Sequence, residues 1–479
     1  MKAYNPYTNL LFVAVALLFT VSCEKEPEPD PDPDPGISNE ILTINNWIWE
    51  GLNDLYLWEE FIPNLDPDLQ KNPEAFFYKL LYSADHDSWI VDDYEALLAR
   101  FEGVELATGI SMSAGILQSN QVVGVVEFVS PGSPAEDSGV VRGDVIVTID
   151  GKYPTRDDYF DLYYQNTATF GFGSWDGTRM VLNGKTAKLT ATELSQNPFV
   201  HREVIDYQGK KIGYFVYTSF TPGPNDEWLE EINTVLGEFQ TAGVSEVIVD
   251  LRYNGGGYMY VTAQMASILG PASAVANHSI LASQVWNDGY TQYWKESDLD
   301  NDGQPDGDES GRLLIRLPDS DLNLNLSNLY FLTSPNTASA SELLMVGLDP
   351  YMNVVQVGDT TYGKCYGSVT VDDWANPKRH NWAMQPIVLK YSNAIGYTDF
   401  VDGIPPDFYE VEDWPFFEPF GSVDDPLLAE ALTQITGVAP ATKKSAFAKP
   451  GVKLLTQPRK QIPEQLINLP DKPGSTVIF

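Results

Sequence analysis

The run Val247-Ile-Val-Asp-Leu251 is the stretch that most narrows what this chain can become. It is continuously apolar rather than alternating, the pattern of a strand covered on both faces, so it belongs inside a sheet with helices on either side. Before it, Asp226 to Gly243 carries Trp228, Leu229, Ile232, Leu236 and Phe239 at helical spacing, with a glycine to stop the helix. Earlier still, Ile212-Gly-Tyr-Phe-Val-Tyr217 reads as another strand. Strand, helix and strand in that order predict a parallel crossover unit. Directly after the buried strand comes Arg252-Tyr-Asn-Gly-Gly-Gly257. Bare backbone N–H groups then stand at a strand's carboxyl end, where open α/β sheets bind ligands. The Lys-Ser/Thr ending of a phosphate loop is missing, which leaves an oxyanion-stabilising turn or a tight turn that only needs positive φ.

A second group of residues follows the same pattern. Leu329-Tyr-Phe-Leu332 is a strand, Ser341 to Leu348 a helix, and Thr337-Ala-Ser-Ala-Ser-Glu342 spans their junction. A hydroxyl held at a helix N-terminus lies in a field that favours its alkoxide-like state. Val354-Val-Gln-Val357 is the next strand, and Thr361-Tyr-Gly-Lys-Cys365 a turn after it. Three hydroxyls, on Thr337, Ser339 and Ser341, compete for the role of nucleophile. The chain has only four histidines, His86, His201, His278 and His380, none at metal-ligand spacing. Zinc is therefore disfavoured, and a Ser/His triad has no well-placed member. Lys364 becomes the leading base, because burial can strip a lysine of its proton. His86, between two aspartates after a helix, reads as a cap or turn. Cys365 adjoins Lys364 without a histidine partner, which disfavours a thiol mechanism.

Outside this α/β region the character changes. Residues 1–22 combine Lys2, the apolar run Leu10 to Phe19 and the small residues Thr20-Val-Ser before Cys23. This is an export signal too short to span a bilayer stably. Because the small residues stop at a cysteine, it resembles a bacterial lipoprotein signal that lipidates Cys23, although Thr20 replaces the more usual leucine. A plain secretory signal or a membrane anchor is the alternative. The lipoprotein reading implies a protein of the bacterial cell envelope, anchored to the outer membrane and facing the periplasm or the exterior. Residues 23–36 alternate acid and proline, which gives an extended tether. Residues 37–103 space Ile44, Trp47, Ile48, Leu52, Phe76 and Phe77 helically, residues 104–195 are short β-like runs, and residues 439–479, with scattered Lys and Pro, read as weakly ordered.

Charge excludes one class of partner. With 29 Lys and Arg against 67 Asp and Glu, a formal charge of -38, nucleic acid is disfavoured. Part of the acid is concentrated in Asp298-Leu-Asp-Asn-Asp-Gly-Gln-Pro-Asp-Gly-Asp-Glu309. In the spacing of an EF-hand loop, Asp298, Asp300, Asp302, the carbonyl of Gln304, Asp306 and Glu309 are the ligands and Gly303 the sharp turn. Pro305 and the strand-like Leu313-Leu-Ile-Arg-Leu317 do not suit EF-hand helices. The expectation is a structural calcium loop inserted in the α/β region, and the alternative is a solvated acidic turn.

Within the β region, Val122 to Val129 is a strand, Ser130-Pro-Gly-Ser-Pro134 a turn, and Ala135 to Gly151 a short helix followed by Gly-Asp-Val-Ile and Asp-Gly. This segment resembles the core of a PDZ domain. The resemblance implies that Thr108, Gly109, Ile110 and Ser111 form the loop whose amides hold a peptide's C-terminal carboxylate, beside a strand edge open to an added strand. A purely structural hairpin is the alternative.

Taken together, from about Ile37 to Asp407, the chain resembles the C-terminal processing peptidases, tail-specific serine proteases with a Ser/Lys dyad. The PDZ core, Asp250-Leu-Arg-Tyr-Asn-Gly-Gly-Gly257, Thr337 to Glu342, Tyr362-Gly-Lys364 and Gly403-Ile-Pro-Pro-Asp407 occur in the order of that family. The resemblance implies an α+β and α/β multidomain protein: a small helical N-terminal region, a PDZ-like domain and a peptidase core over residues 200–438. It selects Ser339 as nucleophile, with Thr337 in place of a serine, and Lys364 as base. It assigns the oxyanion hole to Gly256 or Gly257 with the amide of Ala340. Many members carry a glutamine four residues after the lysine, where this chain has Ser368. No cofactor is implied for catalysis, and the substrates implied are unfolded or C-terminally exposed proteins. An inactive PDZ-bearing scaffold or chaperone lipoprotein is the rival reading, and the oligomeric state stays open.

Overall fold

A computed structural model describes residues 36–117, 120–299, 303–307, 311–442 and 452–455. Cys23 and the tether therefore lie outside the described residues, as do Asp300, Asp302 and Glu309. No described helix is long and apolar enough to cross a membrane.

The N-terminal region is mostly helical, and each of its three α-helices starts on a side-chain cap. Ser38 accepts from the Ile41 N–H ahead of Asn39–Leu55, Asn72 from Ala75 ahead of Pro73–Leu80, and Asp93 from Ala96 ahead of Tyr94–Phe101. The apolar faces pack inward: Trp47, Ile48, Leu52, Phe76 and Phe77 share a buried cluster with Leu343 and Val346. A short strand, Trp89–Val91, pairs antiparallel with Ala383–Gln385 and ties the region to the rest of the chain.

The PDZ domain is an antiparallel meander. Ile110–Leu117, Val122–Val129, Val145–Ile149, Thr167–Trp175 and Met180–Thr190 lie side by side in chain order. Outside Ile110–Leu117 lies one further strand, Val452–Leu455, from the tail that composition marks as weakly ordered. The sheet's open edge supplies what that apolar run lacks on its own, a partner for its backbone.

The core sheet has the order Phe408–Tyr409, Asn353–Gly358, Asn328–Thr333, Glu246–Asp250, Lys210–Tyr217, Phe199–Tyr207. All its neighbours are parallel except the last pair. Both faces are covered, as the unbroken apolar strand requires. Val247 and Val249 face a cluster with the helices Glu227–Ala242, Met259–Leu269 and Ala340–Leu348, whereas Ile248 faces Leu428 and Leu432 of Pro426–Thr436. Fully burying each such side chain contributes about 1.5–3 kcal/mol. A second, antiparallel sheet joins Leu314–Arg316, Ile280–Trp286, Ile387–Ser392 and Tyr366–Ser368. The acidic insertion thus runs into a strand rather than a helix.

One arginine joins the PDZ domain to the core. Arg142 sits in the turn before Val145–Ile149 and donates to the carbonyls of Glu418 and Glu127 at 2.7 and 2.6 Å, to the Tyr253 hydroxyl at 2.6 Å and to the Glu412 carboxylate. Its guanidinium lies 4.2 Å from the centre of the Phe420 ring.

Candidate active site

The core sheet brings two loops together at its carboxyl edge. One leaves Glu246–Asp250 and holds the three glycines; the other leaves Asn328–Thr333 and holds the hydroxyl-rich segment. They are laced by backbone: the Ala338 N–H donates to the Asn254 carbonyl at 3.1 Å, and the Thr337 hydroxyl to the Leu251 carbonyl at 2.8 Å. The Ser341 hydroxyl donates to the Asn254 carbonyl at 3.1 Å. Two of the three candidate hydroxyls are therefore consumed in holding the loops. The Ser339 hydroxyl is buried and has no hydrogen-bond partner among the described residues.

Ser339 is also the residue that turns the chain. It caps Ala340–Leu348 with φ 60° and ψ -116°, a conformation that side chains rarely adopt and that the surroundings must enforce. Glu342 enforces it from within the helix's first turn. Its carboxylate accepts the Ser339 N–H at 2.8 Å. The same carboxylate accepts the N–H groups of Gly363 and Lys364, each at 2.8 Å, and the Thr361 hydroxyl at 2.5 Å. Burial pushes the Glu342 carboxyl above its ordinary range, while these four donors pull it back toward the ionised form. One fully buried carboxylate thus joins the serine's helix to the lysine's turn. Tyr391, from Ile387–Ser392, closes the arrangement: its hydroxyl lies 3.2 Å from the Ser339 carbonyl and 3.0 Å from the Lys364 carbonyl.

Lys364 is itself 3% exposed. Its turn is held by contacts that admit no side chain. A Cβ added to Gly363, at φ 96°, would fall 2.5 Å from the Gly403 nitrogen, and one added to Gly403, at φ 87°, 2.2 Å from the Thr361 carbonyl oxygen. Across the same contact Ile404 donates to the Thr361 hydroxyl at 2.8 Å. Asp407 holds the end of the neighbouring strand, its carboxylate accepting from Gln356 at 2.8 Å. Ser368 is fully buried at the end of Tyr366–Ser368, four positions beyond Lys364. The Cys365 thiol is buried too, and burial pushes its pKa up, which disfavours the thiolate.

The glycine run divides its duties. Gly256 and Gly257 have φ 115° and 140°, and a Cβ on Gly256 would lie 2.8 Å from the Ser339 Cβ. The Gly256 N–H, however, donates to the Asn254 side-chain oxygen at 2.8 Å, so it is not available to an oxyanion. That removes Gly256 as a donor and leaves it as the residue that lets the loop approach the serine. No described group accepts from the N–H of Gly257 or of Ala340. Asn254, Glu342 and Tyr391 were not among the residues expected at the site. Glu342 was readable, because a Ser-x-x-Glu spacing at a helix start marks a capping pair. Tyr391 carries no local signal.

The remaining expected sites lie elsewhere. Thr108 and Gly109 form a loop, Gly109 at φ 87°, whose carbonyls accept from Ala135 and Ser130 at 3.0 and 2.9 Å. Ile110 and Ser111 already belong to the following strand, paired with Val129 and Phe128, and the Ser111 hydroxyl donates to Glu127 at 2.9 Å. In the acidic insertion Gly303 turns at φ 91° and donates to the Asp298 carboxylate at 2.9 Å, and the Asp306 carboxylate accepts from Leu299 at 2.5 Å. Gln304 lies between them, and no group of metal-ligating side chains is assembled among the described residues.

A parallel α/β core carrying a strained serine at a sheet-to-helix junction, with a PDZ domain attached, defines a class of serine-type hydrolase. The comparisons agree with that class. Residues 211–409 match Peptidase family S41, residues 43–94 the Peptidase S41 N-terminal domain and residues 125–164 a PDZ domain. The chain thus carries stretches similar to an S41 peptidase domain, to the S41 N-terminal domain and to a PDZ domain. A carboxyl-terminal-processing protease of Picosynechococcus sp. is 26% identical over 57% of this chain and 60% of its own length. The chloroplastic carboxyl-terminal-processing peptidase 2 of Arabidopsis thaliana is 25% identical over 57% of this chain and 48% of its own. The chain thus spans about half to three-fifths of the curated relatives it matches. A crystal structure of an S41-type protein from Bacteroides fragilis NCTC 9343 superposes with a TM-score of 0.69 at 26% identity, covering 82% of this chain and 98% of that one.

Proposed function

We propose that this protein is an endopeptidase that captures the C-terminal tails of unfolded or exposed proteins on its PDZ domain and cleaves them with Ser339 and Lys364. The observation that carries the reading is the Ser339 hydroxyl: alone of three neighbouring hydroxyls it has no partner among the described residues, and it belongs to the residue that Glu342 and Tyr391 tie to Lys364. In the first step Ser339 Oγ attacks the scissile carbonyl carbon while Lys364 Nζ takes the hydroxyl proton. The N–H groups of Gly257 and Ala340 receive the negative charge that forms on the carbonyl oxygen. Collapse breaks the peptide C–N bond, the leaving amine takes the proton from Lys364, and an acyl ester remains on Ser339. Water, deprotonated by Lys364, then attacks the ester, and Ser339 regains its proton. Ser368, buried on the adjoining strand, takes the role of positioning the lysine. Ser339 and Lys364 are buried, so substrate entry requires the site to open.

The sequence supports placing this activity in the bacterial envelope, through a lipid on Cys23 and the acidic tether. The Asp-rich insertion acts as a calcium brace for the core and takes no part in the reaction; Gly303 and Asp298 have the turn geometry such a loop needs. The central test incubates the chain from Glu24 onward, and its Ser339→Ala variant, with an unfolded protein. Cleavage by the first and none by the second is the expected result. Equal cleavage by both overturns the mechanism, and binding without cleavage by either returns the rival scaffold.

A further inference from the structure

The strand Val452–Leu455 lies on the edge that a PDZ domain offers to its ligands. Val452, Lys453, Leu454 and Leu455 pair antiparallel with Leu117, Ile116, Gly115 and Ala114. The strand they pair with, Ile110–Leu117, is the one that follows the Thr108–Gly109 loop. An antiparallel partner of that strand runs toward the loop, which is also the direction a captured C-terminus must take to bring its carboxylate to the loop's amides. The side chains agree with the backbone: Leu455 packs against the buried PDZ cluster alongside Ile110, Ile116, Tyr159 and Leu162, whereas Leu454 is 56% exposed. One leucine inward and the next outward is the alternation of a strand seated in a groove.

We infer that Val452–Leu455 is an internal ligand of the PDZ groove, and that it competes with substrate tails for the same strand edge. The inference rests on the reading of that edge as the peptide-binding site. A segment tethered to its own receptor acts at an effective concentration up to the millimolar range, so a free peptide meets a site already occupied. Removing the segment should tighten the apparent affinity for free peptides by about tenfold or more. The groove's occupant also describes what it takes: an extended peptide with an aliphatic residue at the position of Leu455.

The test is run in the Ser339→Ala background, so that it reads binding and not turnover. Two fluorescent peptides are titrated: one ending in a free carboxylate after an aliphatic residue, the other copying residues 450–460 with both ends blocked. The proteins are the full chain, a chain ending at residue 442, and the full chain with Leu455→Asp. Expected is a gain of about tenfold or more for both peptides in both variants, with each peptide displacing the other. Equal affinities of the full chain and both variants for the free-carboxylate peptide overturn the internal ligand while leaving the groove reading intact. A shortened chain that binds the copied segment but no free-carboxylate peptide supports the tail site and overturns substrate capture there. Binding of neither peptide by the shortened chain overturns both.

Discussion

Glu342 and Tyr391 grip the same two residues with opposite polarity. The Glu342 carboxylate accepts the N–H groups of Ser339 and Lys364, both at 2.8 Å, and the Tyr391 hydroxyl lies 3.2 and 3.0 Å from their carbonyls. The proposed nucleophile and base are thus fixed to each other through their backbones. Tyr391→Phe removes one of the two grips and keeps the packing. It is expected to cost about 1 kcal/mol of stability in chemical denaturation. If the tie positions the pair, kcat falls at least about tenfold with KM little changed; a loss confined to stability makes Tyr391 a packing residue.

The three hydroxyls of the junction make a sharper comparison. Ser341→Ala and Thr337→Val each delete a hydrogen bond to a backbone carbonyl and are expected to lower stability by about 1–2 kcal/mol while cleavage continues. Ser339→Ala deletes a hydroxyl that has no hydrogen-bond partner among the described residues. It should leave the melting temperature within a few degrees of the parent and abolish cleavage, by about a thousandfold or more.

Gly256→Ala should inactivate without gross unfolding. The new methyl would lie 2.8 Å from the Ser339 Cβ at a φ of 115°. An expected cost of about 1–3 kcal/mol would be visible in thermal unfolding. Peptide binding to the PDZ domain, measured separately by fluorescence, should be unchanged.

The joint between the PDZ domain and the core titrates near neutrality. Burial, and then the charge of Glu412, push the Glu127 carboxyl up from an ordinary 4.5 to about 7, against the opposing pull of Ser111 and Arg142. The folded state therefore holds a proton that the unfolded chain has released. This contribution to stability is complete below about pH 4.5 and is lost as pH rises through about 7. Glu127→Gln should flatten the pH dependence of the unfolding midpoint over that window. An undiminished slope in the variant would show that Glu127 is not its source.

Chelation tests the acidic insertion. If the loop holds calcium, a chelator lowers the melting temperature and Asp300→Ala removes that sensitivity. A melting temperature indifferent to chelator in the parent protein would leave the insertion a solvated turn.

Much of the fold was legible because the core strands announce themselves. Val247 to Leu251 is unbroken because helices cover both its faces, and the glycine run had to follow it because the chain turns there against Ser339. The hydroxyl segment was legible as a junction, and the family resemblance pointed to Ser339, but the residues' own spacing could not separate the three candidates as the carbonyls of Leu251 and Asn254 do by taking two of them. The glycine amides were hidden in the same way: nothing local shows that the Asn254 side chain claims Gly256. Tyr391 and Arg142 act across long separations in sequence and leave no spacing to read. Val452–Leu455 is a short apolar run among Lys and Pro, and it becomes a strand only beside an edge more than three hundred residues earlier.

The contact between Gly363 and Gly403 has a consequence for how this protein can vary. The lysine's turn is clamped largely by main chain against main chain, Gly363 against the Gly403 nitrogen and Gly403 against the Thr361 carbonyl. The chain between the two glycines carries Lys364, Ser368 and Tyr391, so the closure fixes where the proposed base and its ties begin and end. A methyl group on either glycine would be enough to undo the closure and, with it, the placement of the lysine.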